Sequence, residues 1–260
     1  MIYLMYDKEE KNMERKELFR ALVGSHNYNL NTKESDKDYK VFVLPTFDDL
    51  YHNKTYSKSI IGEEQDLDIH DIRKVSQLWW KSNVNFLEVL FSEEIIINDS
   101  LSESTKELLN QLFELKDEIA KMNLPYLYHA CVGMCYSKMK NIEKGTSGTQ
   151  HLVDQYGFDT KQGLHAIRIL DFLQRFADND FNDFKRHITY QDNDPFKIFL
   201  LNVKNGKHSL QEIEECVNDM LEEIADEHAI KYHNAKPNQE TQDKIVDIVK
   251  QIVKNELLEN

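Results

Sequence analysis

Apolar and polar residues alternate in the first third of the chain, and this alternation predicts β-strands. Residues 18–23 form one short apolar segment, and residues 39–44 form a second one that carries Val-Phe-Val-Leu. The segment 66–70, Asp-Leu-Asp-Ile-His, alternates strictly, which predicts a half-buried strand with its two apolar residues facing the core. The polar segment 46–63 between these strands predicts a loop.

From residue 101 onward, apolar residues recur at helical spacing instead. Strands followed by helices are the pattern of an α+β protein. We expect a division near residue 100, into an N-terminal part, 1–100, and an all-helical part, 101–260. The predicted helices cover residues 103–122, 126–142, a stretch after Asp159, 210–228 and 241–258.

The composition is that of a folded protein outside the membrane. The chain has 260 residues, of which 40% are hydrophobic and 30% charged, enough to bury a core. No apolar run approaches the roughly 18 residues that span a bilayer. The apolar opening, residues 1–6, is short and lacks a basic start, so we expect a cytosolic protein without a secretory signal.

Three cysteines leave an odd count without framework spacing, which indicates reduced thiols. Cys131 and Cys135 share a helix face near His129, and a zinc site is the alternative to buried core thiols. A fourth ligand is missing nearby, so the core interpretation is favoured.

The net charge of −14 bears on the substrate. Proteins that track a long nucleic acid carry a basic footprint, so this acidity favours a small or locally contacted acceptor. Local basic clusters around 138–144 and at 185–187 either grip an RNA end or are solvated helix faces. The Gly-Thr-Ser-Gly segment, 145–148, lacks the Gly-Lys-Ser/Thr ending of a P-loop and predicts a linker.

Asp36 and Asp38 are two residues apart in an extended segment, so their side chains point the same way. Neighbouring carboxylates repel, and a divalent cation such as Mg²⁺ is the usual way to hold both ionised. Gly24 and Ser25 form a turn before this segment. Backbone N–H groups in such a turn can hold a phosphate.

A third carboxylate is available on the predicted strand 66–70. Asp66 and Asp68 lie on the same strand face, so strand geometry does not separate them. The alternative is that either one belongs to a solvated strand face.

A cationic stripe follows Asp159, the predicted helix cap. Lys161, His165 and Arg168 stand at i, i+4 and i+7, so they share one side of a helix. Facing a cleft, this stripe would meet a triphosphate. The alternative is a solvent-exposed basic face.

The Gly-Ser turn followed by Asp-x-Asp resembles the signature of the DNA polymerase beta nucleotidyltransferase superfamily. The wider context, 24–30 running into 35–38, resembles the RNA-repair branch associated with RNA ligase, which occurs in bacteria and their phages. Segments 71–74, 81–90 and 156–168 extend the resemblance over most of the chain. Asn29 and Asn83-Val84 depart from the usual pattern, but both lie in loops.

This resemblance implies a minimal polymerase-beta-type domain with a small mixed sheet, followed by a helical domain. It implies transfer of a nucleoside monophosphate from an NTP to an acceptor hydroxyl, with two Mg²⁺ or Mn²⁺ ions. The acceptor is expected to be an RNA end, such as that of a tRNA. The alternatives are a protein or small-molecule acceptor, or a non-catalytic nucleotide-binding module.

The resemblance also implies roles for the candidate residues. Asp36 and Asp38 would bind both metal ions, and it places the third carboxylate at Asp66 rather than Asp68. Lys40 would pair with the site or contact the substrate. The residues implied to bind the nucleotide are Gly24, Ser25, Lys161, His165 and Arg168.

Overall fold

A five-stranded mixed sheet forms the N-terminal part of the protein. A computed structural model describes residues 15–33, 35–62 and 65–258, so the opening residues 1–6 lie outside the described part. The strand order is β3-β4-β2-β1-β5, with β2 and β4 parallel and the other neighbours antiparallel. The strands are β1 (Glu17–Val23), β2 (Lys37–Val43), β3 (Ser57–Ile60), β4 (Gln65–Asp71) and β5 (Ile95–Ile97).

Short helices occur within the sheet region. The prediction of a loop over 46–63 was wrong, because this segment contains both α1 (Phe47–Tyr51) and the edge strand β3. A capping box between Thr46 and Asp49 starts α1, and five residues are too few for a periodic pattern. The remaining short elements are α2 (Lys74–Trp80), α3 (Val84–Leu87) and a 3₁₀ turn (Glu88–Phe91).

The chain after residue 100 is helical, as predicted. The predicted helix 103–122 is two helices, because the first ends at Leu115. The predicted helix 210–228 continues past α11 into a π-helical turn (Ile224–His228). The helices are α4 (Glu103–Glu114), α5 (Lys116–Ala120), α6 (Leu124–Lys140), α7 (Gln150–Tyr156), α8 (Thr160–Asp178), α9 (Phe184–Ile188), α10 (Pro195–Lys204), α11 (Leu210–Glu223), α12 (Ala229–Asn234) and α13 (Gln239–Leu258).

The two faces of the sheet have different partners. On one face, Phe19 stacks on Phe42 at 4.7 Å, and Phe113 of α4 meets Phe19 edge-on at 5.1 Å. These residues belong to a continuous core shared with the helices. The other face carries a smaller cluster, consisting of Leu22, Tyr39, Val41, Val43, Leu67 and Ile69.

This packing decides where the polar strand face lies. Asp38 and Lys40 alternate with the residues of the smaller cluster, so they share the face of Phe42, which the helices cover. Asp38 at the start of β2 therefore lies on the sheet face that the helices cover. The architecture confirms the predicted α+β class. None of the helices in the described ranges is long and apolar enough to cross a bilayer.

Candidate active site

The parallel pairing of β2 with β4 brings two carboxylates together. Asp38 pairs in register with Asp66, and two residues further along the strands Lys40 pairs with Asp68. Burial, followed by the charges of Asp66 and Asp36, raises the pKa of Asp38 above its ordinary value. Asp36, Asp38 and Asp66 thus form one electrostatically coupled group at the start of the two strands.

Asp68 has a different environment. Its Oδ2 lies 2.6 Å from Lys40 Nζ and 2.8 Å from His70 Nε2. Burial by itself would raise the pKa of Asp68, but the hydrogen bonds and charges of His70 and Lys40 outweigh it and hold the pKa well below its usual range. Asp68 is therefore ionised, and its charge is compensated by side chains of the protein. Asp66 instead accepts a hydrogen bond from the backbone N–H of Gly62 at 3.2 Å.

Lys40 lies inside the protein rather than at the mouth of the site. It is 9% exposed, and its ammonium group lies 4.5 Å from the centre of the Phe86 ring. Lys40 follows Asp38 on the same face of β2 and forms an ion pair there with Asp68 of β4. The structure thus places Lys40 as a partner of Asp68, one of the two roles expected for it.

The three aspartates form an open group. Asp36 precedes β2 and is exposed, while Asp38 and Asp66 are half-buried. Their ligand atoms do not all lie within 4.8 Å of one another. In the described ranges one set of three potential ligands is that close, and it lies on α11 and its π-helical turn: Glu223, Glu227 and His228. Its two glutamates are exposed, as on any solvated helix face. Carboxylate oxygens in an open group fit Mg²⁺, which retains several waters as ligands.

Gly24 lies directly against the carboxylate of Asp38. Its φ is +72°, and a Cβ atom built there would lie 2.8 Å from Asp38 Oδ2. The turn closes through hydrogen bonds from Tyr28 N to Gly24 O and from Leu30 N to Ser25 O. The N–H of Gly24 donates to Glu88 Oε2 at 3.0 Å, so it is engaged inside the protein. Ser25 is half-buried beside it.

The cationic stripe of α8 separates into an outer and an inner part. Asp159 caps the helix by accepting from the N–H groups of Lys161 and Gln162. The Lys161 side chain is exposed, and its charge acts on Asp38. Arg168 is 3% exposed, with its Cζ 3.9 Å from the centre of the Tyr28 ring. Its Nε and Nη1 are buried and have no hydrogen-bond partner among the described residues.

His165 lies between these two cations. Burial lowers the pKa of His165 to about 3, and the charges of Arg168, Lys138, Lys161 and Lys204 act in the same direction. Its imidazole is therefore neutral near pH 7, so it can offer one N–H donor and one acceptor.

Two lysines outside the predicted set complete the basic side of the site. Lys204, the last residue of α10, lies 3.3 Å from Ser35 Oγ and 3.4 Å from Leu30 O. Burial, followed by the charge of Lys161, lowers the pKa of Lys204. Burial also lowers the pKa of Lys138, which acts on His165 from α6. No local pattern marks Lys204, because it ends an apolar helix far along the chain. Lys138 belongs to a basic cluster visible in the sequence.

The cysteines are core residues. Cys131 and Cys135 are both fully buried, and burial raises the pKa of both thiols, to about 12 for Cys135. His129 is exposed. Among the described residues, no close group of three potential metal ligands includes either thiol, which supports the core interpretation over the zinc site.

Residues 5–251 match the model of RlaP, the RNA repair pathway DNA polymerase beta family. The chain belongs to this family. No curated protein matches it. RlaP membership confirms the resemblance seen in the sequence and supports a polymerase-beta-type nucleotidyltransferase in RNA repair.

The RlaP chain brings three features of the candidate site together. Coupled carboxylates lie at the start of two parallel strands, a glycine turn lies against one of them, and lysines approach from the helices. The acidic and basic sides of the site come from regions far apart in sequence. The sheet and the helical part therefore both contribute residues to this candidate site.

Proposed function

We propose that this RlaP protein transfers a nucleoside monophosphate from an NTP to an acceptor hydroxyl at the end of an RNA. The observation that carries the proposal is the position of Asp38, in register with Asp66, against Gly24 and within the field of Lys161. In the reaction, an acceptor oxygen attacks the α-phosphate. A new P–O bond forms, the bond to the β-phosphate breaks, and pyrophosphate leaves.

Asp36, Asp38 and Asp66 are proposed to hold the divalent ions, Mg²⁺ or Mn²⁺. The raised pKa of Asp38 supports this assignment, because coupled carboxylates gain from a cation between them. The ions would neutralise phosphate charge and activate the acceptor hydroxyl. Asp68 is left out of this set, because Lys40 and His70 already compensate its charge.

The triphosphate is proposed to lie between the Gly24–Ser25 turn and the basic side of the site. Lys161 and Lys204 supply charge, and Ser25 supplies hydrogen-bond donors. His165, being neutral, contributes a directed hydrogen bond rather than a charge. These groups position the substrate and stabilise the negative charge that moves onto the leaving pyrophosphate.

The family description supports an RNA acceptor, and the net charge of the protein limits how much of that RNA it can contact. The net charge of −14 disfavours a long electrostatic track along a polymer. An RNA end, contacted locally, agrees with both observations. A tRNA end is the form of this substrate that we would test first.

The test is incubation with each α-labelled NTP, Mg²⁺ or Mn²⁺, and bacterial tRNA, beside Asp38→Asn as the inactive control. Label on RNA with the unchanged protein alone supports the proposal and identifies the nucleotide. Label on protein or on a small molecule would keep the chemistry but replace the acceptor. Binding of an NTP without any labelled product would instead indicate a nucleotide-binding module.

A further inference from the structure

A buried carboxylate lies directly behind the Gly24 turn. Glu88, at the start of the 3₁₀ turn after α3, is 2% exposed. Its Oε2 accepts the backbone N–H of Gly24 at 3.0 Å, and its Oε1 accepts the Tyr28 hydroxyl at 2.5 Å. One side chain therefore holds both ends of the turn that leads from β1 toward the aspartates.

Asn27 strengthens the same connection. Its Nδ2 lies 3.3 Å from Glu88 O and 3.4 Å from Glu88 Oε2. Its Oδ1 accepts from Lys185 of α9 at 2.8 Å. Hydrogen bonds to Glu88 therefore hold the turn on its buried side. The opposite side of Gly24, next to the Asp38 carboxylate, is held in position by the same contacts.

Arg168 adds a positive charge near this buried carboxyl group: burial raises the pKa of Glu88, and the Arg168 charge opposes that rise. Its guanidinium lies over the Tyr28 ring at 3.9 Å, and its charge acts on both Glu88 and Tyr28. A buried carboxylate without a compensating cation is strongly destabilising. The Nε and Nη1 atoms of the Arg168 guanidinium are buried in the interior of the protein.

We propose that Arg168, Glu88 and Tyr28 are positioning residues that fix the Gly24–Ser25 turn against Asp38. The unit joins the turn to α8, the helix that also carries Lys161, seven residues before Arg168. The two sides of the nucleotide site are thereby held in one arrangement. Arg168 acts through Tyr28 and Glu88 rather than by contact with phosphate. The catalytic consequence rests on the proposed function, whereas the connection itself does not.

Tyr28→Phe tests the connection with the smallest change. It removes the hydroxyl that donates to Glu88 and keeps the ring beneath Arg168. Tyr232→Phe is the matched control. Tyr232 is also buried and donates its hydroxyl to α8, at Leu173 O and 2.6 Å, but it lies on α12 and its ring packs against Tyr128 and Phe181.

The first measurement is amide hydrogen exchange over residues 24–30. We expect Tyr28→Phe to speed exchange there by about 5-fold or more, the size expected for one lost hydrogen bond. Tyr232→Phe should leave this segment unchanged. Equal exchange in the two variants would overturn the proposal, and this holds even if the protein transfers no nucleotide.

The second measurement is steady-state transfer kinetics. The turn contacts the triphosphate before and during the reaction, so we expect Tyr28→Phe to raise KM for the NTP about 5-fold while kcat stays within about 2-fold. Tyr232→Phe should change neither. If both variants lose kcat equally with their thermal stability, the role of Tyr28 is only structural.

Substitutions at Arg168 provide a rescue test. Arg168→Met removes the charge, and Arg168→Lys restores it without the planar group. We expect the lysine variant to recover part of the exchange protection and of the NTP affinity that the methionine variant loses. No recovery, with Tyr28→Phe also silent, would exclude charge compensation of Glu88 as the function of Arg168.

Discussion

Gly24 leaves no room for a side chain against Asp38. A Cβ atom at residue 24 would lie 2.8 Å from Asp38 Oδ2, closer than a Cβ atom comes to an oxygen in proteins, so the turn or the Asp38 side chain would have to shift. Glycine at residue 24 therefore meets two requirements: the positive φ of the turn and the close approach of the Asp38 carboxylate.

We predict that Gly24→Ala lowers nucleotidyl transfer by about 100-fold, because it displaces either the turn or Asp38. Gly157→Ala is the matched control, since Gly157 also has a positive φ, of +84°, but a Cβ there would meet nothing within 4 Å. Both variants should lose about 1 kcal/mol of folding free energy through backbone strain. Equal activity of the two variants would show that the contact with Asp38 is unimportant.

The aspartates on β4 should differ in their effect on catalysis. We predict that Asp66→Asn lowers transfer at least about 100-fold, because it removes a proposed metal ligand. Asp68→Asn should retain more activity, because Asp68 is already paired with Lys40 and His70. The measurement is initial rate against Mg²⁺ concentration. The reverse order of the two variants would assign the third carboxylate to Asp68.

Asp38 and Asp68 should affect stability in opposite directions. The folded pKa of Asp38 is raised, so its contribution to stability is present below its unfolded pKa, about 3.9, and is lost as pH rises through the folded value. Near pH 7 the ionised group opposes folding. We therefore expect Asp38→Asn to raise the melting temperature in EDTA at pH 7, with the gain vanishing below about pH 4.

Asp68 provides the contrast. Its folded pKa is lowered, so its stabilisation is present above the unfolded pKa, about 3.9, and is lost as pH falls through the folded value. Asp68→Asn should therefore lower the melting temperature at pH 7, and the deficit should shrink in acid. Melting curves of both variants from pH 3 to 8 decide this. Shifts of the same sign at pH 7 would contradict the assignment.

The lysines should contribute to binding rather than to folding. We predict that Lys161→Met and Lys204→Met each raise KM for the NTP by about 10-fold, because each removes a charge near the triphosphate. Lys250→Met, at an exposed position of α13, is the control and should have no effect. The salt dependence of NTP binding should weaken in the two site variants. An unchanged KM in both variants would show that the triphosphate does not bind beside Lys161 and Lys204.

Local pattern was sufficient for much of the framework. The strict alternation of 66–70 predicted β4, the spacing of apolar residues predicted the helical half, and Asp159 was recognised as the cap of α8. The Gly-Ser and Asp-x-Asp motifs indicated the family, which the comparison confirmed. These features depend on residues close in sequence, where the period of a strand or helix determines which side chains share a face.

The tertiary structure decided what periodicity leaves open. Asp66 and Asp68 share a strand face, and only the register with β2 places one beside Asp38 and the other beside Lys40. Lys161 and Arg168 share a helix stripe, but Arg168 is buried and lies over the Tyr28 ring. Lys204 reaches the site from a remote apolar helix. Local spacing determines direction, whereas the partner that a side chain meets depends on how distant segments pack.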